Sequence, residues 1–79
     1  MINAYILLVM QPGYSEKAIR RIRTLSSVEK ISVIAGEYDI VVRVGVPTME
    51  ALLRINQKLQ QIPGLEKTTT HVIEKELAI

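Results

Sequence analysis

"VEKISVIAGEYDIVVRVGV", residues 28–46, decides the fold. Two runs rich in Val and Ile, 28–36 and 38–46, meet at Gly36-Glu37. Runs of β-branched residues bounded by turn formers read as strands. A glycine at the join can take the positive φ that a tight turn or bulge needs. The stretch predicts a β-hairpin turning near Gly36-Glu37. In its second arm Ile40, Val42, Val44 and Val46 form an unbroken apolar set. Asp39, Val41, Arg43 and Gly45 take the other parity. Alternate residues of a strand point to opposite faces, so the first set faces a core and the second does not. Asp39, a charge at the head of an apolar strand, needs a reason to be there.

Upstream, "NAYILLVM" (3–10) reads as a strand stopped by the turn signal "QPG". It is apolar on both parities, which predicts cover on both faces. "SEKAIRRIRTL" (15–25) follows, with Ala18, Ile19, Ile22 and Leu25 at helical spacing and Lys17, Arg20, Arg21 and Arg23 around the rest of the wheel. It predicts an amphipathic helix with Ser15 as N-cap. Downstream, Pro47-Thr48 stops the hairpin and caps a second helix, 49–62, whose buried stripe is Leu52, Ile55, Leu59 and Ile62. Pro63-Gly64 ends that helix, and "LEKTTTHVIEKELAI" (65–79) is a last strand with a polar start and a frayed end.

The order strand–helix–strand–strand–helix–strand is the split β-α-β arrangement of a ferredoxin-like α+β sandwich. Right-handed crossovers give an antiparallel sheet in the order 4-1-3-2, both helices on one face and the other face open. The chain, residues 1–79, is one domain, and a domain this small gains from association. Strand 1 and Val41 make the open face apolar. Monomers rarely expose large apolar patches. Leu7, Leu8, Val9, Val41 and Arg43 are therefore the expected interface of a homodimer or larger ring. Arg43 would pair with an acid across that interface or steer a ligand carboxylate.

The same topology brings the starts of strands 3 and 4 to one end of the sheet, roughly 10 Å apart across strand 1. Asp39 and Thr68, Thr69 and Thr70 meet there. A carboxylate facing several hydroxyls suits a small zwitterion, with Asp39 accepting from an ammonium group while hydroxyls and turn N–H groups hold a carboxylate. The plainer alternative is that Asp39 bonds turn N–H groups and the threonines are strand formers. Parity does not say which of the Thr68/Thr70 and Thr69/His71 sets lies on the open face.

Composition narrows the function. There is no Cys, hence no thiol catalysis, disulfide or cysteine metal site, and the single His71 has no partner ligand, so no metal or cofactor is implied. The net charge of +2 is too small to argue for nucleic acid. The longest apolar run, "AYILLVM", is far short of the ~20 residues of a membrane span, and neither a basic start nor a cleavage site marks a signal peptide. A cytoplasmic protein is expected. The basic residues of the first helix read as a solvated face, Tyr38 as packing, and no nucleophile–base pair is visible.

Gly36-Glu37-Tyr38-Asp39 followed by "IVVRV", together with "PGLEKTTTHVI" (63–73), resembles the effector-binding (RAM) domain of the Lrp/AsnC family of transcriptional regulators, over essentially the whole chain. The resemblance implies an open-face dimer assembling further, often to an octamer, with an amino acid bound between subunits. Family contacts fall on Gly36, Glu37, Tyr38 and Asp39 and on Thr68 and Thr70. Family members carry an N-terminal helix-turn-helix domain, whereas this chain starts two residues before its first strand. It resembles the stand-alone form, so no direct DNA contact is expected, and hetero-assembly with full-length regulators is a possible output. The competing classes are a small ferredoxin-like, monooxygenase-like enzyme and a purely structural oligomerisation domain.

Overall fold

The computed structural model describes all residues, Met1–Ile79. Its elements are β1 (Ile2–Met10), α1 (Ser15–Ile22), β2 (Val28–Val33), β3 (Ile40–Val46), α2 (Met49–Gln60) and β4 (Leu65–Val72). They form one antiparallel sheet in the order β2-β3-β1-β4. This is the expected ferredoxin-like order read from the other edge.

The parity argument holds on β3, where Ile40, Val42, Val44 and Val46 are fully buried and Val41, Arg43 and Gly45 are half-buried. On β1 the core-facing set is Ala4, Ile6, Leu8 and Met10. These strands meet Ala18 and Ile22 of α1 and Leu52, Ile55 and Leu59 of α2, with Ile62 just beyond, in one aliphatic core. Every core residue is aliphatic, so packing must come from interdigitated branched chains.

Boundaries differ from expectation where local bonding decides them. The first helix ends at Ile22; Thr24 and Leu25 N–H groups instead donate to Arg21 and Ile22 carbonyls in tighter turns, and Leu25 still packs on the core. Ser15 is not a cap: Tyr14 holds the N-cap position, with no side-chain cap bond. Thr48 does cap α2, its hydroxyl accepting from the Ala51 N–H at 3.1 Å. The hairpin is looser than a two-residue turn. β2 stops at Val33 and β3 starts at Ile40, while the Ile34 N–H donates to the Asp39 carbonyl at 2.9 Å. Gly36, at φ 141°, makes the reversal.

β4 ends at Val72 rather than running to the terminus. After the Ile73 N–H donates to the Asn3 carbonyl (2.8 Å), the chain turns across the open face of the sheet. The β1–α1 loop and the α2–β4 turn are pinned at one end: the Gln11 N–H donates to the Gly64 carbonyl (2.7 Å), and Tyr14 lies against Gly64.

Candidate functional site

The reason for Asp39 is now visible. Its backbone N–H donates to the Leu8 carbonyl at 2.9 Å, continuing the β1–β3 ladder one residue before the strand proper. Its Oδ2 then accepts the Met10 N–H at 2.7 Å. The carboxylate supplies the acceptor that a longer β3 would have offered, through a charge-assisted bond. The donor belongs to β1 and not to the turn. Oδ1 takes no hydrogen bond from the chain and remains available.

Tyr38, one residue earlier, reaches across the end of β1. Its hydroxyl is 3.4 Å from Thr69 Oγ1 on β4, and Lys67 Nζ stands 5.9 Å from its ring centroid. Leu7 pairs with Thr69 and Val9 with Lys67 in the β1–β4 register, so all four share the open face. Thr68 and Thr70 pair with Leu8 and Ile6 and therefore face the helices. The Thr70 hydroxyl donates to Asn56 Oδ1 of α2 at 2.9 Å. The structure thus gathers Tyr38, Asp39 and Thr69 at one rim and sends Thr68 and Thr70 to the opposite face of β4. Gly36 and Glu37 are exposed at the tip of the turn, where nothing approaches Gly36.

Lys67 is the member of the rim that sequence reasoning missed. Its signal was its parity with Thr69, two residues on. It adds a cation over the Tyr38 ring to a rim that also carries the Asp39 carboxylate, two hydroxyls and an apolar floor. Such a set can hold both ends of a zwitterion.

The open face continues from the rim as an apolar strip. Leu7 and Val41 are direct cross-strand partners, and Val9 is next along β1; all three are half-buried. Leu8, expected among them, is a correction: it faces the helices with no exposed surface, because its neighbours in the strand alternate about it.

Arg43, expected at the interface, has acid partners within its own chain. It pairs with Glu29 of β2 and, at 2.6 Å, with Glu76 of the C-terminal segment, and lies 6.0 Å from the Tyr5 ring centroid. The Tyr5 hydroxyl also donates to Glu76, at 3.4 Å. The hydrogen bond to Glu76 is the main cause that raises the already high Arg43 pKa; partial desolvation opposes it, and Tyr5 and the charges of Glu76 and Glu29 add to it.

Two local features that no pattern announces make this cluster. A register irregularity between Val28 and Lys30 accompanies the placement of the exposed Glu29 beside Arg43. Gly45 leaves the space: a Cβ there would lie 2.9 Å from Glu29 Oε2 and 3.0 Å from Asn3 Oδ1.

Fold and site together define a ferredoxin-like α+β domain with a polar rim beside an apolar sheet face. The sequence matches the family described as Lrp/AsnC ligand binding domain over residues 3–78, and the chain belongs to that family. Among solved structures, it is similar to the hypothetical protein PHS023 from Pyrococcus horikoshii (28% identity, TM-score 0.85, 96% of this chain and 93% of that one). It is also similar in fold to TTHA0845 from Thermus thermophilus (24% identity, TM-score 0.91, all of both chains). A third is the transcriptional regulator NMB0573 from Neisseria meningitidis, solved in complex with L-Met. Identity there is 17% and the TM-score 0.88, with 99% of this chain covering 53% of the regulator. No curated protein matches the sequence. No helix is long and apolar enough to cross a membrane.

Proposed function

We propose that this domain is an amino-acid sensor that binds its effector at the Tyr38–Asp39–Lys67–Thr69 rim, between subunits that pair through the open face. The observation that carries the reading is the rim itself, with an unengaged carboxylate oxygen, an ammonium and two hydroxyls beside Leu7, Val9 and Val41. Neither cavity of the single chain lies there. A ligand on this rim would stay open to water unless a second copy closed it, and closing it would also cover the apolar strip. Asp39 Oδ1 receives the effector's ammonium; Lys67 and Thr69 take its carboxylate. Gly36 and Glu37 edge the site. Thr68 and Thr70, on the helix side, shape β4 rather than touch the ligand. The domain spans about half of a regulator such as NMB0573, and co-assembly with full-length regulators of the same family is the proposed output. Turnover forms no part of the proposal.

The test is a thermal melt against the twenty amino acids. A ligand at a hundred times its Kd adds about 2.7 kcal/mol to the native state. One or a few amino acids should raise the midpoint, and Asp39→Asn and Lys67→Gln should each abolish the shift. Asn keeps an acceptor for the Met10 N–H, so loss of binding there is separable from loss of the fold. A flat response to all twenty would sink the sensor reading.

A further inference from the structure

His71 is the chain's single histidine, and neither the core nor the rim uses it. It is exposed and stands on β4 directly opposite Tyr5 of β1. Tyr5 pairs in turn with Arg43 of β3, and Arg43 with Lys30 of β2. Cross-strand partners share a face, so Lys30, Arg43, Tyr5 and His71 form one row across all four strands. Tyr5 lies two residues from Leu7, which puts the row on the open face beside the apolar strip. Strand spacing sets His71 about 10 Å from Arg43.

The row is rich in positive charge and short of acid. Both salt bridges of the chain belong to Arg43, with Glu29 and Glu76. Lys30 and His71 have no ion pair. From β1 the Tyr5 hydroxyl faces His71, and it donates to Glu76 of the C-terminal segment. Along β4 the neighbour on the same face is Thr69, with Lys67 beyond. Glu74 and Lys75, just past the strand, are exposed and cancel in charge. Asp39 stands at the far end of β1, beside Met10 and roughly 15 Å from Tyr5. The helices lie behind the sheet and present no charge to this face.

We infer that His71 makes pairing through the open face sensitive to pH: copies associate with the imidazole neutral and separate when it is protonated. An imidazole changes its charge between about pH 5 and 8. On a free chain a third cation in the row costs little, because exposed charges about 10 Å apart are screened by salt. Between two paired faces the same charges lose that screening and their hydration. A face-to-face pair related by a two-fold axis contains the row twice. Protonation then adds a cation to each row where Arg43 and Lys30 already stand. The free chain takes up protons more readily than the pair, so by linkage acid favours dissociation. The inference rests on the open-face pairing proposed above and not on which ligand the rim takes.

The assay is sedimentation equilibrium of the full chain, without amino acids, from about pH 7.5 to 5.5, above the range where carboxylates titrate. An imidazole gains its proton near about pH 6.5 in water, and a dissociating pair takes up as many as two. The dissociation constant should therefore rise about tenfold or more over that range. His71→Gln should hold the neutral-pH value throughout, and His71→Arg should pair weakly at every pH. Both change an exposed side chain and should leave the fold unaltered by circular dichroism. Leu7→Asp, on the same face, should prevent pairing at any pH. A dissociation constant independent of pH, a tightening in acid, or a response that survives in His71→Gln would overturn the inference while leaving the pairing intact. A chain monomeric at every concentration, or a pair unaffected by Leu7→Asp, would remove the open-face pairing and the inference with it. Melts with amino acids at neutral pH report on the rim separately.

Discussion

Asp39→Ala removes the acceptor of the Met10 N–H and leaves that donor facing the end of β3. The bond is short at 2.7 Å, half-buried and charge-assisted. Hydrogen bonds to charged groups contribute about 1.5–3 kcal/mol, and a stranded buried donor carries a similar penalty. The partial exposure places Asp39→Ala toward the low end, about 1.5–2 kcal/mol. In a domain of this size 1 kcal/mol shifts the midpoint by about 4–8 °C, so a fall of roughly 6–16 °C is expected. Asp39→Asn keeps an oxygen in place and loses the charge assistance, so its loss should be about half as large. The assay is urea unfolding at fixed protein concentration, since association adds to apparent stability, combined with amide exchange at Met10. Exchange at Met10 should quicken in Asp39→Ala and much less in Asp39→Asn. If Asp39→Ala changes stability by less than about 0.5 kcal/mol, or if the two substitutions are equivalent, Asp39 does not extend the β1–β3 ladder.

Two further outcomes follow from other contacts. Gly64 has φ +85°, and a Cβ there would come within 2.3 Å of Tyr14 Cγ. Gly64→Ala should cost about 2–3 kcal/mol, from the left-handed backbone plus the displaced ring. Adding Tyr14→Ala should recover part of that, a non-additivity read from a double-mutant cycle; strictly additive losses would mean Tyr14 does not press on Gly64. The raised Arg43 pKa carries a sign. A group with a raised folded pKa contributes stability that is full below its unfolded value and lost only as pH rises through the folded one. For Arg43 that window lies beyond the alkaline range in which proteins are handled. Melts from neutral to mildly alkaline pH should therefore lose nothing through Arg43, and a decline there that vanishes in Arg43→Gln would contradict the assignment.

Much of this was legible in the sequence because it rests on period and parity. Alternation in 40–46 and helical spacing at Leu52, Ile55, Leu59 and Ile62 dictate which side chains leave water, and the element order with the handedness of crossovers dictates strand order. Those constraints are local or topological, so one chain read in order carries them. Parity failed at Leu8 only because β1 is apolar on both sides, and an unpatterned strand does not say which face is the core. What tertiary structure alone decided are the contacts made by residues far apart in the chain. The register of β4 on β1 put Thr69 and Lys67 on the open face and Thr68 and Thr70 under α2. The end of β3 left a Met10 N–H for Asp39 to bond. A register irregularity beside Glu29 and the missing side chain of Gly45 accompany the Arg43 cluster, and the turn after Val72 brought Glu76 to it. None of these has a sequence signature, because each depends on a register or a distance that exists only once the sheet has closed.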